Sequence, residues 1–318
     1  MKVSVILCTC NRSDSLVKAL ESLAASTMPP LAEWEVLVVD NNSSDSTHEV
    51  TEKFCRRDPA HFRYLYEPRP GKSHALNRGI RAAGGDILAF TDDDVAVEPT
   101  WLQNLTAHLH NGTWAGAGGR ILPDRAFSPP RWIPSGHKYA LAPLTIYDPD
   151  LGDGPLSDAP FGANMAFQRR VFEQYGGFRT DLGPGLGGGI PQKSEDTEFG
   201  HRLLAQGERL RYESSAIVYH SLPAHRIRRG YFLEWWFDKA RADVRVFGIQ
   251  PGGAKWCVAG VPLYLVRRLA VWTVRWMVTV EPSRRFERKI KVWERLGEIV
   301  ECHRQWHEGK LRKAEEPR

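Results

Sequence analysis

Three consecutive carboxylates, Asp92, Asp93 and Asp94, follow a short apolar run at residues 87–90 in the sequence DILAFTDDDV. Such a run is typical of a parallel strand buried on both faces, and open α/β sheets bind ligands at the carboxyl ends of these strands. Because adjacent like charges repel one another, their burial there needs a compensating cation. Carboxylate oxygens suit Mg2+ or Mn2+, which also coordinate substrate phosphates. An arbitrary DDD is more often a solvated acidic turn, but the strand before it favours a ligand site here.

A second pair of acids, Glu195 and Asp196, follows a glycine-rich stretch at residues 182–189 that we predict to be a mobile loop. The sequence SEDTEFGHRL predicts a helix capped by Ser194, and the helix dipole alone favours acids in a first turn. That end effect is a purely structural explanation for the pair. The alternative is a general base behind a mobile loop, and the separate acidic strand end favours this second explanation.

Strands and helices that alternate along the chain can bring these acidic residues to one edge of a sheet. The first part of the chain shows that alternation. Four runs have the composition of buried strands and are each followed by a helical pattern: residues 3–8, 34–39, 62–66 and 87–90. This rhythm predicts βαβ units, and hence an α/β fold with a mostly parallel sheet between helices. Ser13 is predicted to cap the first helix, and Ser44 or Asp45 the second. A late strand at residues 210–219 ends in His220.

The strand ends of a parallel sheet gather at one edge, which here could hold a nucleotide. Asp40 follows the second strand and can accept hydrogen bonds from a base or ribose, whereas Arg12 and Lys72 can contact phosphate. A divalent cation on Asp94 would stabilise the charge on a departing diphosphate. With a separate carboxylate as base, this set of residues describes group transfer from a nucleotide diphosphate.

The C-terminal part differs in charge, so we divide the chain into domains at 1–222 and 223–318. From His225 onward there are 21 Lys and Arg residues against 11 Asp and Glu, leaving 22 against 27 before it. Residues 256–280 are apolar but interrupted by arginines, a pattern that predicts a pair of interfacial helices rather than a membrane span. The basic surplus predicts contact with an anionic surface such as a membrane, with a solvated helical face as the alternative.

Composition excludes several other classes of protein. The chain has 318 residues, of which 42% are hydrophobic and 25% charged, as in ordinary globular proteins. Its five cysteines are odd in number and lack CxxC spacing, which argues against a disulfide framework or zinc knuckle and predicts a reducing, cytoplasmic compartment. No stretch reaches the roughly 18 apolar residues of a membrane span, and the apolar run at residues 3–7 is too short for a signal peptide.

Six motifs in order resemble the family 2 glycosyltransferases with the GT-A fold, across residues 2–221. They are VSVILCTCNR, EVLVVDNNSSDST, GKSHALNRGI, ILAFTDDDV, FGANMAFQRRVFEQYGGF and SEDTEFGHRL. One motif alone would be weak, but six in the family's order are specific. The resemblance implies a Rossmann-like sheet flanked by helices and a metal-dependent, inverting transfer of a sugar from a nucleotide-diphosphate sugar.

The resemblance also implies roles on the donor side. Asp40 matches the residue that binds the nucleobase, and the first and last acids of the DXD motif match Asp92 on the ribose and Asp94 on the metal. Because the chain has three acids, Asp93 leaves that register open. The residues assigned to the nucleotide sugar are Thr9, Asn11, Arg12, Asp40, Lys72, Asp92 and Asp93. We expect UDP as the nucleotide, with GDP or dTDP as alternatives.

On the acceptor side, Asp196 matches the catalytic base, and Glu195 orients it or helps to bind the acceptor. Asn164 falls where the family lines the acceptor site, and His220 resembles the histidine that completes the metal site in some members. One base without a second nucleophilic carboxylate implies inversion, as in inverting hydrolysis. The implied acceptor is a saccharide or lipid-linked glycan of the cell envelope, and attachment to the inner membrane face remains open.

Two other functions compete with this interpretation. A nucleotidyltransferase also binds nucleotide and metal at a sheet edge, but it would need a glycine-rich phosphate loop, and residues 9–12 contain no glycine. A non-catalytic carbohydrate- or membrane-binding relative would be expected to have lost Asp94 or Asp196, and both are present. No nucleic-acid partner is predicted.

Overall fold

The structure, a computed structural model, describes residues 2–27, 33–134, 138–149, 151–185, 193–249 and 256–315, with side chains described up to residue 309. Two compact units are present. The first comprises Met1–Ala126, Thr145–Ile190 and Glu195–Leu222, and the second comprises Phe127–Leu144, Pro191–Ser194 and Pro223–Arg318. The segment at residues 123–160, which is rich in Pro and Gly, is therefore divided between them.

A mixed sheet of nine strands within the described residues forms the first unit. The strands are β1 (Lys2–Thr9), β2 (Glu33–Asp40), β3 (Phe62–Tyr66), β4 (Ile87–Asp92), β5 (Val95–Val97), β6 (Gly116–Pro123), β7 (Gly154–Leu156), β8 (Met165–Gln168) and β9 (Leu210–His220). Their order is β3-β2-β1-β4-β8-β6-β9-β5, with β7 beside β9. Six strands run in one direction, and β5, β7 and β8 run in the opposite direction. The predicted mostly parallel α/β sheet is confirmed.

Helices cover the sheet: α1 (Ser13–Ala24), α2 (Thr47–Arg57), α3 (Lys72–Ala82), α4 (Trp101–Thr106), α5 (Arg169–Tyr175) and α6 (Glu195–Ala205). The stripe that predicts α1, namely Leu16, Leu20 and Leu23, is buried. Its cap differs from the prediction, because Ser13 is the first helical residue and Arg12, at the N-cap position, makes no side-chain cap bond. Asp45 instead accepts the backbone N–H of Ser13 at 2.9 Å and that of Thr47 at 3.1 Å. Although burial opposes the effect, these hydrogen bonds lower the pKa of Asp45.

Strand register places the polar strand ends in one row. Thr9 of β1 lies opposite Asp40 of β2, which lies opposite Tyr66 of β3, and Cys8 lies opposite Asp92 of β4. The strands are buried up to these ends because the apolar runs are covered on both faces. A polar side chain at each strand end therefore emerges at the same edge of the sheet.

An antiparallel pairing brings the end of β9 to the same edge. Val95 of β5 lies opposite His220, and the backbone N–H of Ser221 donates to the carbonyl of Asp94 at 3.0 Å. The acidic turn between β4 and β5 is thus fixed beside the last residue of β9. This contact joins residues more than 120 positions apart. It places His220 beside the acidic turn, as its predicted role as a metal ligand requires.

The second unit contains α7 (Arg229–Phe247), a hairpin of β10 (Cys257–Val258) and β11 (Val261–Pro262), α8 (Leu263–Met277) and α9 (Pro282–Glu315). The predicted helix pair at residues 256–280 is wrong, since a hairpin precedes a single helix. Ala259 and Gly260 both have positive φ, at 51° and 79°, which makes a two-residue hairpin turn. None of the helices that the structure describes is long and apolar enough to cross a membrane.

A glycine sets the spacing between α7 and α9. A Cβ atom added to Gly297 would lie 2.3 Å from the carbonyl oxygen of Phe237, and 3.2 Å from the Cβ of Ala240. On the same face of α9, the fully buried Glu301 pairs with Arg245 at 2.5 Å and Arg241 at 3.1 Å. The two helices therefore approach at backbone contact, and a methyl group would force them apart.

We expect Gly297→Ala to lower the free energy of unfolding by about 1–3 kcal/mol, the usual cost of overpacking. Gly309→Ala is the matched control, because Gly309 lies in the same helix and its added Cβ would meet nothing within 4 Å. That control should raise stability by up to about 1 kcal/mol through helix propensity. Chemical denaturation of both variants measures the difference, and equal effects would contradict the close approach of α7 and α9.

Candidate active site

Two carboxylates and an imidazole converge at the end of β4. Each of Asp92, Asp94 and His220 offers a ligand atom, and these atoms all lie within 4.8 Å of one another. His220 is buried, and Asp92 and Asp94 are partly buried. The sequence predicts Asp94 and His220 as metal ligands, and the structure brings Asp92 into the same group.

The hydrogen bonding of His220 suits a metal ligand. Its Nδ1 lies 2.8 Å from the carbonyl oxygen of Ser221, which can only accept, so Nδ1 carries the hydrogen. In the neutral ring, Nε2 then presents a lone pair, 3.3 Å from an oxygen of Asp94. Two acceptors facing each other repel unless a proton or a cation lies between them. The oxygen and nitrogen donor set, with the tautomer fixed by a backbone carbonyl, therefore fits a divalent cation.

Asp93 is directed to a different partner. It is buried, and Arg12 Nη1 donates to it at 3.1 Å and to Asp94 at 3.1 Å. Burial raises the pKa of Asp93 to about 6, against the opposing effect of Arg12 and with the help of Asp94. Asp92 and Asp94 therefore lie together in the group that includes His220, whereas the carboxylate of Asp93 pairs with Arg12.

Lys72 connects the acidic strand end to the second acidic pair. Its Nζ lies 2.5 Å from Asp92 Oδ1 and 3.7 Å from Glu195 Oε1. Burial disfavours the ammonium, but Asp92 and Glu195 raise the pKa of Lys72 above its ordinary range. Lys72 is thus a fixed positive charge between the two groups of carboxylates.

Asp196 is oriented by backbone groups. Its Oδ2 accepts the N–H of Gly162 at 2.7 Å, and its Oδ1 accepts the N–H of Thr197 at 2.6 Å. A Cβ atom at Gly162 would lie 3.2 Å from Oδ2, so a larger residue there would require the Asp196 carboxylate to shift slightly. Asp196 remains partly exposed, whereas the adjacent Glu195 is buried. Ser194 does not cap this helix as predicted, because its buried hydroxyl has no hydrogen-bond partner and its φ is 75°.

The first part of the predicted glycine loop is attached to α3. Ser73 Oγ donates to the carbonyl of Leu182 at 2.8 Å, and the N–H of Lys72 donates to the carbonyl of Pro184 at 2.8 Å. Gly183 has a φ of 94°, and a Cβ atom added to it would lie 3.3 Å from the carboxyl carbon of Glu195. The rest of the predicted mobile loop, from residue 186 onward, lies outside the described residues.

The edge of the sheet beyond β1 carries the predicted nucleobase residue. Asp40 is buried, and its two oxygens accept the N–H of Ser43 and the hydroxyl of Tyr64, both at 2.9 Å. Burial and Asp40 both raise the pKa of Tyr64. Thr9 is buried opposite Asp40 in the register.

Asn11 ties two neighbouring loops together. It has a φ of 52°, its N–H donates to Ser43 Oγ at 3.0 Å, and its side-chain oxygen accepts the N–H of Ser44 at 2.7 Å. Asn11 therefore joins the turn after β1 to the turn after β2. The residue predicted to contact nucleotide also shapes the loop around it.

Two further residues of this edge, Tyr64 and Asn41, are not indicated by the sequence motifs. Tyr64 lies two residues before the end of β3 and fixes the carboxylate of Asp40. Asn41 accepts the N–H of Gly71 at 2.9 Å and donates to the carbonyls of Glu67 and Arg69, so it positions the start of α3. The run of asparagine and serine after β2 was a signal of such side-chain-to-backbone bonding.

Asn164 is fully buried, and its amide is used by three protein partners. Its oxygen accepts the indole N–H of Trp101 at 2.8 Å, and its nitrogen donates to the carbonyls of Arg120 and Ala216, both at 2.8 Å. The structure therefore places Asn164 behind the turn that carries Gly162 rather than at a surface.

The protonation of Glu195 gives a test of this charge arrangement. Burial and the adjacent Asp196 raise its pKa from 4.5 to about 7, although Lys72 opposes them. A raised pKa stabilises the folded protein fully below about pH 4.5, and that contribution is lost as pH rises through about 7. Glu195→Gln should therefore gain stability relative to wild type between about pH 5 and about pH 8, by up to about 3 kcal/mol.

Urea denaturation at several pH values measures this change. Glu208→Gln is the control, because Arg170 lowers the pKa of Glu208 despite partial burial, so its contribution is constant above about pH 5. A pH-independent difference between Glu195→Gln and wild type would contradict the buried position of Glu195.

Comparisons with known proteins agree with the geometry. The sequence model of the family described as Glycosyl transferase family 2 matches residues 4–176. A glucosyl-dolichyl phosphate glucuronosyltransferase from Haloferax volcanii is 30% identical over 233 residues, which are 71% of each chain. The succinoglycan biosynthesis protein ExoM of Rhizobium meliloti is 28% identical over 264 residues, 81% of this chain and 80% of that one.

Solved structures also share the fold. A mannosyltransferase from Pyrobaculum calidifontis in complex with GDP-Man and Mn2+ has a TM-score of 0.56 at 19% identity, over 99% of this chain and 81% of that chain. S. aureus TarS residues 1–349 in complex with UDP has a TM-score of 0.52 at 16% identity, over 98% and 92% of the two chains. At these identities the likeness concerns the fold, which is the GT-A fold.

Proposed function

The chain belongs to glycosyltransferase family 2, and on that premise we propose that it is a metal-dependent, inverting enzyme that transfers a sugar from a nucleotide-diphosphate sugar to an acceptor hydroxyl. One observation carries the proposal. The cluster of Asp92, Asp94 and His220 is linked through Lys72 to Glu195, next to the backbone-held Asp196. A cation site and a candidate base thus share one edge of the sheet.

The donor half of the site uses the strand ends. We assign Asp40 to the nucleobase and Arg12, Asn11 and Thr9 to the nucleotide, as the family resemblance implies. Asp92, Asp94 and His220 would hold a divalent cation, Mn2+ or Mg2+, which neutralises charge on the diphosphate. Asp93 supports this group by holding Arg12, which also contacts Asp94.

The acceptor half uses α6. Asp196 takes the proton of the acceptor hydroxyl, whose oxygen attacks the anomeric carbon from the side opposite the nucleotide. The Gly162 and Thr197 N–H groups hold the carboxylate in place for that transfer. A single displacement inverts the anomeric configuration, and neither a second nucleophile nor a covalent intermediate is required.

Lys72 and Glu195 complete the charge arrangement. Lys72 keeps Asp92 near the cation site and offers its charge to the diphosphate. Glu195 orients the adjacent base from its buried position. Asn164 supports the acceptor side indirectly, because its N–H donates to the carbonyl of Phe161, next to Gly162, and its amide anchors this turn to Trp101 and Arg120.

The donor nucleotide is proposed to be UDP, with GDP and dTDP as alternatives. The solved neighbours hold GDP-Man in one case and UDP in the other. The proposed acceptor is a saccharide or lipid-linked glycan, because the similar chains include a glucosyl-dolichyl phosphate glucuronosyltransferase and a succinoglycan biosynthesis protein.

A panel of UDP-, GDP- and dTDP-sugars tests this proposal. Release of the nucleotide diphosphate is measured with Mn2+, with Mg2+ and with EDTA, and the anomeric configuration of the released or transferred sugar is determined by NMR. We expect cation-dependent release from at least one donor, and an inverted product. Retention of configuration would contradict the single displacement, and equal release in EDTA would contradict the role of the cation.

We also propose that residues 1–222 form the catalytic domain and that residues 223–318 attach it to the inner face of a membrane. The basic surplus of the C-terminal part supports this attachment. Donor turnover does not require the attachment, so the two proposals are tested separately.

A further inference from the structure

Helix α8 exposes an apolar face. Its outward positions follow helical spacing and carry large exposed fractions: Leu263 (46%), Val266 (47%), Val271 (43%), Val274 (59%) and Met277 (65%). We call these five residues the outer face of α8. A surface helix of a globular protein ordinarily shows polar residues at such positions.

The opposite side of the same helix is already packed. Leu265 is buried in a cluster with Val244, Val261 and Cys302, and the ring of Trp276 lies 6.5 Å from that of Trp293 on α9. Helix α8 is therefore apolar on both sides, although only one side is covered within the second unit. The outer face is not needed to hold the helix on α9.

The exposed apolar surface continues beyond the helix ends. Trp256 is 75% exposed and Val258 is 64% exposed in and next to the hairpin before α8, and Val278 and Val280 after it are 69% and 89% exposed. Large contiguous apolar surfaces of this kind mark interaction sites. An exposed tryptophan at the end of such a surface is typical of a lipid–water interface.

The charge of this segment is one-sided. Residues 256–280 contain no aspartate or glutamate, and they contain three arginines, Arg267, Arg268 and Arg275, all exposed. On a helical wheel of 100° per residue, Arg268 and Arg275 fall together on one flank of the outer face. Arg267 lies among the apolar residues of the outer face, where its long side chain can extend to the surface. An apolar face that carries basic residues in this way is complementary to a bilayer with an apolar interior and anionic headgroups.

We propose that the outer face of α8, with Trp256 and Val258, inserts into the headgroup region of an anionic phospholipid bilayer. The helix has 15 residues, about 22 Å at 1.5 Å per residue, so it lies along the membrane plane and does not cross it. The arginines contact lipid phosphates, while the valines and Met277 reach the acyl boundary. This assignment rests on the membrane attachment proposed above and gives that attachment a defined surface.

A second copy of the chain fits this face less well. In a two-fold interface the same patch meets itself, so Arg267, near the centre of the outward side, would approach its own equivalent. No acid within residues 256–280 is present to pair with it. Apolar association would therefore bring like charges together, whereas an anionic bilayer neutralises them.

Flotation of the full chain with vesicles tests the proposal. The wild type should bind vesicles of phosphatidylcholine plus phosphatidylglycerol and bind pure phosphatidylcholine more weakly. Val274→Glu should weaken binding by about tenfold or more, since burial of one valine side chain is worth about that factor. Val300→Glu is the matched control, a valine on α9 with 44% exposure, and it should bind like wild type.

The salt dependence of vesicle binding distinguishes the contribution of the arginines from that of the apolar residues. Arg268→Gln with Arg275→Gln should weaken binding to anionic vesicles in low salt, and that loss should vanish in high salt because charge interactions are screened. The Val274→Glu loss should persist in high salt. Nucleotide diphosphate release from a soluble donor should be unchanged in all of these variants, so failure here does not bear on the proposed transferase activity.

Three results would overturn the proposal. Wild-type binding by Val274→Glu together with Met277→Glu would show that the face does not insert. An equal loss in Val300→Glu would show a nonspecific charge effect. The third result combines two measurements, vesicle flotation and sedimentation velocity without lipid. If the wild type is a dimer that Val274→Glu dissociates, and if the wild type does not bind vesicles, then the outer face belongs to an interface with a second copy.

Discussion

Asp196→Asn is expected to lower transfer to acceptor by about 100- to 10,000-fold, the usual contribution of a general base, while donor binding persists. The amide cannot accept the acceptor's proton. The residues proposed for the donor lie elsewhere, Asp40 at the end of β2 and Asp94 in the turn after β4, so we expect the nucleotide to keep its contacts. Glu198→Gln is the matched control, because Glu198 is also an acid of the first turn of α6 but pairs with Arg202.

Calorimetry with nucleotide diphosphate and Mn2+, beside an acceptor-transfer assay, separates binding from chemistry. Loss of donor binding in folded Asp196→Asn would make Asp196 a donor-site or structural residue. Retained transfer would move the base to Glu195. In contrast, Glu198→Gln should keep both donor binding and most of the transfer rate.

Asp94→Asn is expected to reduce turnover by at least about 100-fold and to weaken donor binding, since a metal's charge stabilisation is worth several kcal/mol. The substitution keeps the shape of the side chain but removes a charge from the group formed with Asp92 and His220. Turnover and nucleotide affinity are measured over a range of Mn2+ concentrations.

Asp93→Asn is the neighbouring comparison for this second prediction. Asp93 is bound by Arg12, so its substitution should leave the dependence on Mn2+ in place even if the protein is less stable. Near-normal turnover of Asp94→Asn in saturating Mn2+ would contradict the metal assignment. Loss of Mn2+ dependence in Asp93→Asn alone would shift the motif by one residue.

The strands that carry the site were predictable because their signals are local. The run ILAF before the three acids makes a buried strand wherever both sheet faces are covered, and β3 begins and ends at the predicted residues, Phe62–Tyr66. His220 was placed correctly at the end of β9 for the same reason. Once the strands are parallel, their polar ends must share an edge.

Contacts between distant loops were not predictable from local patterns. The cap of α1 comes from Asp45, 32 residues after Ser13, and no spacing rule within α1 signals it. Tyr64 reaches Asp40 only because β2 and β3 pair in a particular register. Asn164 was predicted from resemblance alone, and its amide binds Trp101 and the carbonyl of Ala216, which lies where β9 bulges opposite β6.

The C-terminal part shows the same limit for apolar stretches. The apolar pattern of residues 256–280 predicts two helices. The prediction is wrong because apolar content alone does not reveal the hairpin turn at Ala259 and Gly260. In α9 the buried face includes Gly297 and Glu301, which a search for apolar stripes overlooks. Close backbone approach and buried ion pairs therefore add to the buried apolar residues of α9, such as Phe286, Ile290 and Val292.

A crystal structure with Mn2+ and the nucleotide diphosphate released in the donor panel would test the proposed site. We expect Mn2+ bound by Asp94 with Asp92 or His220, the diphosphate on that ion, and the nucleobase against Asp40. We also expect the Asp196 carboxylate to face the vacant sugar site beside the diphosphate. A nucleotide bound away from the end of β4, or an ion held without Asp94, would contradict the proposed donor site.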